Sequence, residues 1–162
     1  MFRFAIILLL CGCTSVIKSQ SSDDPQPVDT AVKLDGLDEK YHRTQIKELI
    51  GVDPRQYEWC AAFVNSILEL HDIPGSESVS DHPLLARGFL NWGVPTDQPE
   101  YGDIVVLTRG RAGWQGHVGF YIDTVVIDGV EKILVLGGNQ NNQVGFDAYN
   151  ASRLLGYRKI PQ

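Results

Sequence analysis

The sequence predicts an α+β domain, with helices in its first half and an antiparallel sheet in its second. Apolar residues recur at helical spacing between about Tyr41 and Leu90, and from Gly102 onward the period shortens to that of strands. Asp128-Gly129, set between two such strand patterns, is a hairpin signal that makes neighbouring strands antiparallel. Helices first and strands second is an α+β order rather than an alternating one.

Each element has its own signal. Tyr41, Ile46, Leu49 and Ile50 predict a short helix closed by Gly51, and Asp53-Pro54 breaks the chain after it. Phe63, Ile67 and Leu70, with Cys60, Val64 and Leu68, predict a helix from about Glu58 to Glu69 or His71, stopped before Pro74-Gly75. Ser80 or Asp81 is placed to cap a third helix, with Pro83 in its first turn, Leu84, Leu85, Phe89 and Leu90 on its apolar side, and Gly93 past its end. Strands are expected over 103–107, 117–126, 132–136, 144–149 and 154–159, with a Gly-rich loop from Arg109 to Gly116 between the first two.

The chain has 162 residues, 43% hydrophobic and 21% charged, which suits one globular domain and a short extension. A formal net charge of −6 with no basic stripe argues against a nucleic-acid partner. No H-E-x-x-H motif, His pair at ligand spacing, P-loop or dinucleotide fingerprint occurs, so no metal and no cofactor are expected.

The first residues look like an address. Arg3 precedes the apolar run Phe4–Leu10, which is too short to span a bilayer. Leu10-Cys11-Gly12-Cys13 resembles a bacterial lipobox. The expectation is a lipoprotein signal peptide over 1–12, a lipidated Cys13 opening a Ser-, Asp-, Gln- and Pro-rich flexible tether over 13–37, and a domain over 38–162.

Three cysteines are present. Cys11 leaves with the signal and Cys13 is acylated, which leaves Cys60 alone in an exported chain and marks it as a reactive thiol. A thiol in the first turn of a helix meets unpaired N–H groups and the positive end of the dipole, which favour the thiolate nucleophile. In the strand from His117, Val118, Phe120 and Ile122 take one face, and His117, Gly119 and Tyr121 the other. Gly119 is expected to let the start of the Cys60 helix approach beside His117, which then acts as the base. Asn139, at the end of the next strand, is expected to accept from the ring N–H and hold the tautomer. The backbone N–H of Cys60 is the natural oxyanion donor, with Gln56 or Tyr57 as candidates for a second. Trp59, Trp92, Trp114 and Tyr121 are candidates to line a groove.

Four blocks in order, Trp59-Cys60-Ala61-Ala62-Phe63-Val64-Asn65, Gly102-Asp103-Ile104-Val105-Val106, Gly116-His117-Val118-Gly119-Phe120-Tyr121 and Leu136-Gly137-Gly138-Asn139-Gln140, resemble the CHAP and NlpC-type cell-wall hydrolases. The resemblance covers about Tyr41 to the C-terminus. It implies a papain-like fold with N-terminal helices on an antiparallel sheet, and a cysteine amidase or peptidase (a thiol protease) that cuts amide bonds in peptidoglycan stem peptides. Cys60 then matches the nucleophile, His117 the base and Asn139 the polar third residue. Many such enzymes carry an acid two places before that Asn, where this chain has Gly137. The combined expectation is a hydrolase tied to the membrane through Cys13, on the periplasmic side of the cell envelope. Thr14 after Cys13 favours the outer membrane. The rival readings are a papain-like deamidase or transferase and an inactive cell-wall-binding module.

Overall fold

The computed structural model describes residues 25–161. The expected signal peptide, Cys13 and the first part of the tether lie outside the described residues. Among the described residues three α-helices precede the sheet: α1 (Pro27–Val32), α2 (Arg43–Ile50) and α3 (Cys60–Glu69). The strands are β1 (Val94–Thr96), β2 (Ile104–Thr108), β3 (Gly116–Ile127), β4 (Val130–Gln140), β5 (Gln143–Asn150) and β6 (Leu154–Lys159). They form one antiparallel sheet in the order β1-β6-β2-β3-β4-β5. The α+β expectation holds.

The core lies between α3 and one face of the sheet. All of α3 except Asn65, Ser66 and Glu69 is buried, the composition of a helix enclosed on most sides. Phe63, Val64 and Ile67 share one cluster with Ile104 and Val106 of β2, Val118 and Phe120 of β3, and Leu136 of β4. Alternation puts Val105, Leu107, Tyr121, Ile133, Val135 and Tyr157 in a smaller cluster on the opposite face.

The flexible tether over 13–37 is corrected from Pro27 onward. Val28 and Ala31 of α1 are fully buried in the main core. After α1, the N–H of Gly36 bonds to the carbonyl of Val144, the N–H of Val144 bonds to that of Leu37, and Asp38 bridges to Gln143. A six-residue helix shows only one apolar repeat, so its polar neighbours mask it in the sequence.

The third helix is also corrected. The segment forms only a 3₁₀ helix over Ala86–Asn91. The Asn65 side-chain amide donates to the carbonyl of Pro83 at 3.0 Å, the acceptor that an α-helix from Ser80 needs for the N–H of Arg87. The chain instead makes i+3 bonds, Leu85 to His82 and Gly88 to Leu85, and then adds β1 at the sheet edge.

Candidate active site

Cys60 is the first residue of α3. The helix start is pinned by Trp59, which is fully buried, donates from Nε1 to Glu39 Oε1 at 2.7 Å and sets its ring edge-on to Phe63. The glycine that lets this end of α3 reach the sheet is Gly138 of β4. A Cβ there would lie 2.5 Å from Trp59 Cζ3 and 2.6 Å from Phe63 Cβ. Gly119, expected to serve this purpose, makes room for β4 instead, since its Cβ would meet Val135 and the carbonyl of Leu136.

His117 stands near the start of β3 opposite Leu107, and the residue is 1% exposed. Its Nε2 lies 3.0 Å from Gln140 Oε1. The Gln140 amide nitrogen donates to the carbonyls of Val135 and Gly145, and Tyr149 Oη donates to Oε1 at 2.9 Å. Both amide hydrogens are thus spent on backbone carbonyls, and Oε1 must face the ring as an acceptor. It follows that Nε2 carries the hydrogen and Nδ1 the lone pair. Nδ1 is buried and has no hydrogen-bond partner. The residue after His117, Val118, directs its backbone N–H at the sulfur of Cys60, as does Ala61. The thiol therefore lies against the backbone of β3 at the residue that follows His117.

Burial governs the protonation of both groups. It pushes the Cys60 thiol up, against the two N–H groups and the charge of Arg109, which pull it down. Burial likewise pushes His117 down to about 4. The expected helix-start effect on the thiol is present, but with Cys60 only 2% exposed the loss of solvation is larger. Both groups therefore rest neutral, Cys60 as a thiol and His117 as an imidazole with a free lone pair on Nδ1.

Asn139 does not reach the ring. β4 bulges between Gly137 and Gln140, where three steps along β4 oppose two along β5, and Asn139 takes φ +58°. The bulge turns Gln140 inward to His117 and sends Asn139 Nδ2 to Glu58 Oε2 at 2.6 Å. The ring-orienting position assigned to Asn139 is thus occupied by Gln140. Two adjacent amides in Gly137-Gly138-Asn139-Gln140 were the available signal, but strand alternation cannot choose between them across a bulge.

At the rim, Arg109 Nη1 meets Glu58 Oε2 at 3.0 Å. Neither residue stands out in the sequence, although Glu58 directly precedes the Trp59–Asn65 block and Arg109 opens the Gly-rich loop. Of the four aromatic groove candidates, Trp59 and Trp92 are core residues and Tyr121 belongs to the far-face cluster; Trp114 is exposed. His71 pairs with Thr30, and His42 Nδ1 accepts from the N–H of Asp38. Asp103 serves a turn, its carboxylate accepting from the N–H of Glu100 and its carbonyl from that of Tyr121. Among the described residues no group of three or more His, Cys, Asp or Glu converges as a metal site requires, and no helix is long and apolar enough to cross a membrane.

Comparison with known families finds that the CHAP domain matches residues 52–139, more than half of the chain. The match begins just before α3 and takes in Cys60, His117 and Asn139. Comparison with curated proteins finds no match.

Proposed function

Because the chain belongs to the CHAP domain family, which is tied to peptidoglycan hydrolysis, we propose that it is a cysteine amidase or peptidase that cuts amide bonds of peptidoglycan stem peptides, with Cys60 as nucleophile and His117 as base. The observation that carries this reading is the fixed tautomer: Gln140 holds the hydrogen on Nε2 and leaves a buried, unpartnered Nδ1 on the residue before Val118, whose backbone N–H reaches the Cys60 sulfur. As the sulfur attacks the scissile carbonyl, its proton passes to Nδ1. Transfer within the pair creates no net charge, so burial opposes it less than it opposes ionising either group alone. The oxyanion meets the N–H groups at the start of α3, which have no acceptor within the helix. The C–N bond then breaks, the imidazolium gives its proton to the departing amine, and a thioester remains. Water, deprotonated at Nδ1, attacks the thioester, frees the acid and restores the thiol.

Mass spectrometry of muropeptides released from purified sacculi tests the reading. New free amines paired with new carboxylates are expected with the wild type and none with Cys60→Ala. Intact sacculi with the folded wild type would overturn it, and ammonia or a transferred acyl group among the products would identify the deamidase or transferase reading. We further propose, on the sequence alone, that Cys13 carries the lipid that holds the enzyme at the envelope, on the outer membrane; palmitate labelling of the wild type and not of Cys13→Ser tests this. Stable anchoring takes more than one acyl chain, as bacterial lipoproteins carry.

A further inference from the structure

The rim of the site holds a carboxylate that the proposed chemistry does not use. Glu58 Oε2 accepts from both Asn139 Nδ2 at 2.6 Å and Arg109 Nη1 at 3.0 Å. The two donors are anchored differently from the acceptor. Asn139 is 7% exposed and is aimed by the β4 bulge and its left-handed backbone, a conformation that Asn tolerates better than most residues. Arg109 sits at the end of β2, and the loop after it is tied down by Gln115, whose Oε1 accepts from the N–H groups of Arg111 and Ala112 and whose carbonyl accepts from Arg87. Glu58, in contrast, has a side chain that is 73% exposed. An exposed ion pair of this kind is worth about 0–1 kcal/mol, so a competing carboxylate displaces it at little cost. Arg109 is also close enough for its charge to act on Cys60, His117 and Tyr149. A carboxylate held there lies beside the scissile bond.

We propose that Arg109 Nη1 and Asn139 Nδ2 form a carboxylate-binding subsite next to Cys60, that Glu58 fills it in the free protein, and that a free carboxylate of an acidic stem peptide takes its place on binding. This rests on the amide-hydrolase reading and specifies its substrate: a peptide with an ionised carboxylate close to the cleaved amide, in preference to its amidated form. The chain's net charge of −6 repels anions at long range, so a preference for the carboxylate has to come from these local donors.

Calorimetry on the full chain carrying Cys60→Ala, which prevents turnover, tests the subsite. The probes are the tripeptide L-Ala-γ-D-Glu-L-Lys with a free glutamyl α-carboxylate and the same peptide with an α-carboxamide. The carboxylate form is expected to bind about tenfold more tightly, as one charged and one neutral donor converging on a carboxylate oxygen imply. Adding Arg109→Ala erases the difference, whereas Arg111→Ala, the same charge change in the same loop, preserves it. Adding Glu58→Gln tightens the carboxylate peptide severalfold and leaves the carboxamide peptide unchanged, because the internal competitor is gone. Equal affinities, no binding of either peptide, or a preference that survives Arg109→Ala overturns the proposal. A preference that behaves as described while the wild type leaves sacculi intact supports the subsite and removes the hydrolase reading instead.

Discussion

At the scale of single residues, the proposed chemistry rests on one hydrogen atom being on Nε2 of His117 rather than Nδ1. Gln140 enforces this because its own donors are committed to two backbone carbonyls, so reversing the amide would strand a carbonyl oxygen against each of them. His117→Ala is therefore expected to abolish cleavage of sacculi with the fold retained. Gln140→Ala lowers kcat/KM by roughly 10–100-fold, in line with loss of a group that orients a base rather than one that reacts. A more specific outcome separates orientation from packing. Gln140→Glu puts a carboxylate on the ring N–H, favours imidazolium and raises the acidic limb of the kcat/KM–pH profile by about one unit or more. Asn139→Ala, which touches Glu58 and not the ring, leaves that limb where it is. An unmoved limb in Gln140→Glu would assign Gln140 to packing alone.

At the scale of elements, the site depends on how closely α3 approaches β4. A Cβ at Gly138 would stand 2.5–2.7 Å from Trp59 and Phe63, both fully buried and unable to retreat. Gly138→Ala is expected to cost about 1–3 kcal/mol and to reduce activity further by shifting the start of α3, and with it Cys60. Gly113→Ala, with nothing within 4 Å of its Cβ, changes stability by less than about 0.5 kcal/mol; denaturant melts of both variants check the contrast. The same contacts explain what the sequence made legible. The placement of Cys60 at a helix start and of His117 on a strand was legible because spacing maps directly onto placement in regular structure. Gln140 was hidden by the bulge in β4, which follows no strand alternation, and Gly138 by a helix approach that only the packed structure shows. The short helix α1 and the failed third helix turn on tertiary contacts, burial of Val28 and Ala31 and the bond from Asn65 to Pro83; for α1 the local signals, Pro27 at its start and Asp29 in its first turn, are too few to mark a helix of six residues.

At the scale of the whole molecule, the buried base ties stability to pH. His117 is neutral in the folded protein, with burial the largest cause of its pKa falling from 6.5 to about 4. The unfolded chain takes up that proton near 6.5, so between about pH 6.5 and pH 4 the unfolded state binds more protons and stability falls as pH falls. Below about 4 both states are protonated and this contribution is flat. A shift of this size corresponds to roughly 3 kcal/mol, a large share of the 5–15 kcal/mol that holds a typical domain. Carboxylates held below their usual range, such as Glu100 beside Lys159, also lose their contribution as pH falls, so the total curve alone does not isolate the histidine. The difference between the wild type and His117→Gln does. Urea unfolding at pH 7.5, 5.5 and 4 is expected to show the wild type losing about 3 kcal/mol more than the variant across that interval, with most of the divergence above pH 4. Parallel curves would mean that His117 has the same pKa, about 6.5, in the folded and unfolded chain, and the lowered pKa of a buried base would have to be abandoned.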